Sequence, residues 1–436
     1  MRVAPISVST CLMLLLPARP AACQRPAGHW EGDMVQQGAR LAITIDLRSG
    51  AAGLAGTWSA PSMRALGIPL AGIRAHGSTV HFELVGDEST TVFDGQLRND
   101  SLVGRFEGGE GQGTFALVRR PVPAPAYREE DVRFTNGDVT LAGTLLVPVA
   151  AGRHPAVAFV HGSGPEGRFG SRFLADHLAR HGVAALIFDK RGVGASTGDW
   201  RRSTLEDLAG DALAGVRLLR GRRDIDSTSV GIYGHSQGGF VAPIAATRSR
   251  DVAFLIAGAS YGGPAYEQDL YRVEVALKAS ELSATDQGLA MAFYKRFVEA
   301  ARTGRDIDVL ERAGDSVRAA AWYQWLEIPP RDHWLWTFYP PVGTFDPLPV
   351  WARVRVPVLL IYGQEDRLLP GDLSIRRIGR ALDSAGNDRW GAVILPRAAH
   401  NFTVSPRPGE PFEWRQVARG LPELVLGWVM VQAGGR

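Results

Sequence analysis

Apolar and polar residues alternate along the first third of the chain, and beyond it the alternation gives way to longer apolar runs. Leu41, Ile43, Ile45 and Leu47 interleave with Ala42, Thr44 and Asp46, and Val80, Phe82 and Leu84 repeat the pattern. Leu102, Gly104 and Phe106 follow, then Phe115 and Leu117. A period of two puts one side of each strand against a core and the other against water. Turn-forming pairs and triplets separate the runs at 86–87, 99–100 and 111–113. The region 24–120 is therefore expected to form a small antiparallel sheet, sandwich or open barrel.

A proline-rich run at 119–127 breaks this pattern and reads as a semi-extended linker. After it, Val132 and Phe134, the Asn136-Gly137 pair and the apolar run 141–147 predict a β-hairpin. Residues 156–160 and 183–188 are short continuous apolar runs, as expected of strands buried on both faces. Ser171 is placed to cap a helix between them that ends near Gly182. Thr204 and Asp207 resemble a capping box. Behind them Leu205, Leu208, Ala209, Ala212, Leu213, Val216 and Leu219 form one helical stripe. Further strands are predicted at 230–233, 252–257, 356–362 and 392–395. Strands alternating with helices imply a mostly parallel sheet covered on both faces. The stretch 261–350 interrupts the alternation with helical patterning alone, and reads as a helical cap inserted between two strands. Within it, 322–339 carries seven aromatics, suited to the cap's own core and, for those facing the mouth, to an apolar pocket wall.

The N-terminus has the three parts of an export signal: Arg2, a short apolar run through 11–16, and small residues and prolines through 17–22. This apolar run is shorter than the ~20 residues a membrane span needs. Residues 1–22 are expected to be a removed leader, giving a periplasmic or secreted protein; acylation of Cys23 is the alternative. Cys11 and Cys23 are the two cysteines, so removal of the leader leaves no internal disulfide. No Cys/His spacing suits zinc.

Composition narrows the rest. The chain has 436 residues with 45% hydrophobic and 21% charged, a globular balance with room for two or three domains. Of its 48 basic residues, Lys190, Lys278 and Lys295 are the only lysines, and the net charge is +3. No Lys/Arg block tracks phosphates along the sequence, so nucleic acid is not an expected partner.

The chemistry converges on a serine. Gly234, His235, Ser236, Gln237 and Gly238 fit G-x-S-x-G directly after a predicted strand and before an apolar helical segment. That is the context of a nucleophile elbow, in which small flanking residues let the serine occupy a strained turn. A serine hydroxyl is weakly nucleophilic and needs a base. With the order serine, acid, histidine, only His333 and His400 lie far enough along the chain. His333 falls in the cap, whereas His400 follows the strand at 392–395, where ligands bind in open α/β sheets. Asp366, after the preceding strand, is expected to orient His400, with the adjacent Glu365 pointing elsewhere. Upstream, His161, Gly162, Ser163 and Gly164 form a tight turn after the strand at 156–160. The N–H of Ser163, or of Gly162, would pair with that of Gln237 as an oxyanion hole. His161 is expected to hold this loop rather than act on substrate.

These stretches, with the run 188–198 that includes Asp189, Lys190, Arg191 and Gly192, resemble bacterial serine carboxylesterases of the α/β-hydrolase superfamily. The resemblance is to the branch similar to dienelactone hydrolases and prolyl oligopeptidases. It runs through about 130–436 and leaves the N-terminal β region uncovered. It implies an α/β-hydrolase fold over 128–436 and acyl transfer through Ser236, His400 and Asp366. The substrate implied is a small-molecule ester with an apolar part, and no metal, nucleotide or flavin is implied. It also implies that Asp189 and Arg191 order a loop beside the site. A serine at 236 sets the chain apart from dehalogenases and epoxide hydrolases of this fold, whose nucleophile is an aspartate. Peptidase and thioesterase activity use the same triad and stay open, as does a non-catalytic binder on the same fold.

Overall fold

The computed structural model describes residues 26–434 apart from 52, 87, 88, 110 and 327. The leader at 1–22, Cys11 and Cys23 lie outside these residues. The chain divides into two compact units, one running up to Ser59 and resuming over Gly67–Val122, the other comprising Ala60–Leu66 and Pro123–Arg436.

The first unit is built on nine strands: β1 (Gly28–Gln36), β2 (Ala39–Gly50), β3 (Gly53–Ala60), β4 (Ala65–Pro69), β5 (Ala71–His76), β6 (Thr79–Val85), β7 (Thr90–Arg98), β8 (Ser101–Gly108) and β9 (Gly111–Arg120). Their order across the sheet is β4-β3-β2-β1-β9-β8-β7-β6-β5. β4 and β5 occupy its opposite ends yet are separated in the chain by Leu70 alone. One residue spans only ~3.5 Å, so the two edges must meet and the sheet curls into a nearly closed barrel. The interior is filled by the alternating residues: Trp30, Ile45, Phe82, Phe93 and Phe115 are all buried, and Phe82 stacks on Phe93 at 4.7 Å between ring centroids. Gly111 and Gly113, expected in a turn, instead open β9, because the reversal occurs one step earlier, after Gly108.

The second unit begins with the hairpin β10 (Tyr127–Asn136) and β11 (Val139–Pro148). Then come β12 (His154–Val160), helix α1 (Arg172–Arg180), β13 (Ala184–Phe188), α2 (Leu205–Arg220), β14 (Ile225–His235), α3 (Gly238–Arg248) and β15 (Leu255–Gly258). Six helices follow: α4 (Ala265–Lys278), α5 (Ala284–Thr303), α6 (Ile307–Ser316), α7 (Ala321–Trp325), α8 (Leu335–Gly343) and α9 (Leu348–Trp351). The sheet resumes with β16 (Val358–Gly363), α10 (Gly371–Ser384) and β17 (Trp390–Leu395). Two short strands, β18 (Thr403–Val404) and β19 (Gln416–Val417), precede α11 (Leu421–Gly434). The eight-stranded order is β10-β11-β13-β12-β14-β15-β16-β17, antiparallel through β13 and parallel from there on.

The local devices follow the sequence closely. Thr204 and Asp207 close both bonds of the capping box on α2. Ser171 stands at the N-cap of α1, but its side chain makes no capping bond. The inserted helices have a core of their own, which takes Phe293, Phe297, Trp322 and Tyr339. The aromatic-rich segment is shared out: Trp322 and Tyr339 go to that core, while Phe338 and Trp334 pack with the main core beside Trp200. Trp325 is left 38% exposed. Among the described residues no helix is long and apolar enough to cross a membrane.

Register decides where chemistry can gather. Val160 pairs with Gly234, His235 with Gly258, Gly258 with Ile361, and Gly363 with Leu395. The loops leaving these strands therefore emerge together on one edge of the sheet, the edge where open α/β sheets bind ligands.

Candidate active site

Ser236 stands in the reversal between β14 and α3 with φ of 54°, a left-handed conformation that an L residue adopts only at a cost of ~1–3 kcal/mol. Its backbone is held there from both sides: Ser236 N–H donates to Gly258 O at 2.8 Å, and Gly239 N–H donates to Ser236 O at 2.8 Å. The flanking glycines are required by close approach. A Cβ at Gly234 would collide with the Gly238 carbonyl, and one at Gly238 would lie 2.7 Å from Val160 O. The strained turn thus lifts the hydroxyl clear of the strand end.

His400 and Asp366 come together from the next two loops along the edge. Asp366 Oδ2 accepts from His400 Nδ1 at 2.8 Å, while Oδ1 accepts from Leu368 N–H at 2.8 Å and Leu369 N–H at 3.3 Å. The Asp366 side chain is 1% exposed and that of His400 18%. A carboxylate so placed can hold the proton on Nδ1 and leave the Nε2 lone pair able to act as a base. The ring of His235, next to Ser236, lies 5.2 Å from that of His400 and 5.1 Å from that of Phe402. Burial and the neighbouring His400 hold the His235 pKa well below the usual histidine range, so it stays neutral. Among the described residues Ser236 Oγ is not hydrogen-bonded to His400. Glu365 points away and pairs with Arg407, and His333 stays in the helical insertion, accepting from Leu335 N–H at 3.3 Å.

The 161–164 turn is organised around a lysine. Gly162 N–H donates to Glu166 Oε2 at 2.8 Å and so is engaged. The N–H groups of Ser163 and Gln237 have no acceptor among the described residues, which leaves both open as candidate donors to an oxyanion. Lys190, 2% exposed, donates from Nζ to Gly162 O at 2.8 Å, Gly164 O at 3.1 Å and Gln237 Oε1 at 2.8 Å. One ammonium thereby ties the 161–164 turn to the residue after the serine. Burial brings its pKa down to about 8. His161 holds the same turn from behind, donating from Nε2 to Phe188 O at 2.5 Å. Burial, reinforced by Lys190, pushes its pKa down to about 4, so it is neutral and structural.

Asp189 and Arg191 order the neighbouring loop, as the resemblance implies. Asp189 accepts from Arg168 Nη2 at 2.8 Å and Ala195 N–H at 3.2 Å, and Arg191 grips Asp211 through two bonds of 2.7 Å. Burial works to raise the Asp189 pKa, but the Arg168 bonds prevail and hold it low. Trp200 packs against Trp334 at 4.8 Å and Phe338 at 5.6 Å, with Lys190 Nζ 5.4 Å from the Trp200 ring centre. An apolar wall therefore stands beside Lys190 and the 161–164 turn that it holds.

Sequence reading placed Ser236, His400, Asp366, Ser163 and Gln237 at one edge, and they are found there. It missed Lys190 and Glu166. A lysine inside the 188–198 run, in a chain with only three lysines, was the available signal for the first; for Glu166 there was none, since its partner is the backbone of Gly162.

Comparison with known proteins agrees with the architecture. Residues 157–413 match the model of the Alpha/beta hydrolase family. Esterase EstD of Thermotoga maritima is 25% identical over 256 residues, 56% of this chain and 53% of the esterase; the chain thus spans about half of that protein's length. Among solved structures, the Pyrococcus furiosus esterase Pf2001 aligns with a TM-score of 0.43 at 18% identity, over 72% of this chain and 95% of that one. A dienelactone hydrolase from Anabaena variabilis aligns at 0.39 and 20%, over 70% and 98%. With its parallel sheet, its elbow and a family match over more than half its length, the chain belongs to the alpha/beta hydrolase family.

Proposed function

We propose that this protein hydrolyses carboxylic esters through an acyl-enzyme on Ser236. His400 Nε2 removes the Ser236 proton as Oγ attacks the ester carbonyl, and the N–H groups of Ser163 and Gln237 receive the oxyanion. His400 then returns the proton to the leaving alcohol, water enters by the same route, and the carboxylic acid departs. Asp366 keeps the Nδ1 proton in place and stabilises the imidazolium. The Ser236–His400 bond forms with substrate, as catalytic hydrogen bonds commonly tighten in the Michaelis complex. The observation that carries the reading is the 2.8 Å His400–Asp366 bond on the same sheet edge as a serine held at φ of 54°. The name of the Thermotoga relative supports esters as the substrate class. The wall of Trp200, Trp334 and Phe338 suits an apolar acyl or alcohol group.

One observation favours a peptidase acting on free amino termini. A methyl at Gly162 would meet Glu166 Oε1 at 2.7 Å and Ser236 Cβ at 3.5 Å, so a carboxylate able to hold an ammonium stands near the nucleophile. Parallel assays on p-nitrophenyl esters of rising chain length and on aminoacyl p-nitroanilides decide between them. Ester turnover that exceeds anilide turnover and survives Glu166→Gln supports the esterase; anilide turnover lost in Glu166→Gln supports the peptidase. We further propose export through the 1–22 leader, checked by fractionation of the full chain; retention in the cytoplasm would contradict it.

A further inference from the structure

The opposite edge of the eight-stranded sheet holds a second concentration of charge. An open cavity of about 590 Å³ is lined there by Arg220, Arg248, Arg250, Arg353, Arg355 and Arg389. They come from the end of α2, the end of α3 and the turn after it, the approach to β16 and the approach to β17. Asp251 is the one carboxylate in the lining, and it is paired with Arg220 at 3.1 Å. Arg248 lies 4.0 Å from Glu206, and Arg389 Nη2 donates to the Arg355 carbonyl at 2.7 Å. Arg250, Arg353 and Arg355 have no carboxylate partner among the described residues.

Two of these arginines have a structural reason to be present. Arg220 and Arg248 occupy the last turns of α2 and α3, where a cation offsets the negative helix end. Of the other four, Arg250 and Arg353 lie just past the ends of α3 and α9, and Arg355 and Arg389 stand in the loops before β16 and β17. They are exposed in the open cavity, so solvent screens their mutual repulsion, and an anion bound among them would relieve what remains. Overall basicity does not explain the cluster either, because the net charge of the chain is only +3. Guanidinium groups present rigid paired donors that match phosphate oxygens, and the hydroxyls of Thr228 and Ser249 stand in the same lining.

We propose that this cavity binds a multiply charged phosphate-bearing anion, with Arg250, Arg353 and Arg355 as its principal ligands. The phosphate can be that of a free oligophosphate or of an anionic lipid headgroup, and the test separates the two. Pyrophosphate is titrated calorimetrically into the full protein at low ionic strength. The same titration is run on Arg250→Gln/Arg353→Gln/Arg355→Gln and on Arg98→Gln/Arg105→Gln/Arg120→Gln, which removes equal charge from exposed positions elsewhere. One saturable site is expected, weakened at least about tenfold in the cavity triple and unchanged in the control triple. Arg353→Gln alone, retaining five of the arginines, should show a smaller loss. No saturable site, or equal weakening in both triples, overturns the proposal. Co-sedimentation with phosphatidylglycerol and phosphatidylcholine vesicles assigns the source. Pelleting selective for phosphatidylglycerol, lost in the cavity triple and competed by pyrophosphate, assigns a lipid headgroup; pyrophosphate binding without pelleting assigns a free anion. Pelleting that survives the cavity triple contradicts the cavity as the site.

Discussion

Val160, His235, Gly363 and Leu395 end four parallel strands on one edge of the sheet, while Arg355 and Arg389 stand just before two of the same strands on the other. At the first edge the charged groups are answered by partners, while the N–H groups of Ser163 and Gln237 are left open. Asp366 accepts three bonds, Lys190 donates three, Asp189 grips the half-buried Arg168 and Arg191 the buried Asp211. At the second edge three guanidiniums have no carboxylate partner among the described residues. For the proposed ester hydrolysis and anion binding, the difference is one of purpose. Catalysis needs dipoles fixed before the substrate arrives, since reorganising them during reaction raises the barrier. Holding an anion needs charge left uncompensated until the ligand supplies its opposite.

That division predicts that substitutions at one edge leave the other untouched. The largest effect is expected from Asp366→Asn, which removes the charge that fixes the His400 tautomer while keeping the shape. Its kcat on p-nitrophenyl esters should fall by ~10⁴-fold, with pyrophosphate binding unaltered in calorimetry. A loss below tenfold would remove Asp366 from its role.

Lys190→Met comes next, because it frees the 161–164 turn and the Gln237 side chain together. A fall of ~10- to 100-fold in kcat, with KM little changed, is expected from displaced oxyanion donors. Its pH dependence sharpens the point. As the pH rises through about 8 the ammonium becomes an amine with two donors for three acceptors, so kcat/KM should decline there, and the variant should lack that limb. Stability should move the other way. The unfolded chain keeps the proton up to 10.5 and the folded chain releases it near 8, so between these values the unfolded state binds more protons and stability rises with pH. Urea unfolding at pH 8 and pH 10 should show a rise in the parent that exceeds the rise in Lys190→Met. Identical profiles would make the lysine structural only.

The smallest effect is expected from the arginine triple, Arg250→Gln/Arg353→Gln/Arg355→Gln. Its ester turnover should stay within about twofold of the parent while pyrophosphate binding is lost. A fall in turnover comparable to that of Lys190→Met would show that the two edges are not independent.

The two edges also differ in how visible they are along the chain. Ser236, Asp366 and His400 are legible because each sits just past an apolar strand, in a short motif whose spacing is local. The parallel sheet is legible for the same reason. β1, β3, β4, β5 and β7 escape notice because glycines such as Gly32, Gly56 and Gly95 interrupt the alternation, and β9 hides its start behind Gly111 and Gly113. Lys190 sits in a recognised loop, but its three acceptors lie at 162, 164 and 237, and only folding brings them to one ammonium. The arginine cavity is the extreme case. Its six members are drawn from 220 to 389, no two of them adjacent, so no basic run marks it.

The central claim, a covalent intermediate on Ser236, is tested most directly by quenching the protein in acid during p-nitrophenyl acetate turnover and mapping the acetyl group by peptide mass spectrometry. The account predicts acetylation of the peptide bearing Ser236 in the parent and none in Ser236→Ala, with turnover lost in the variant. Acetyl transfer to another residue, or turnover that persists in Ser236→Ala, would contradict it.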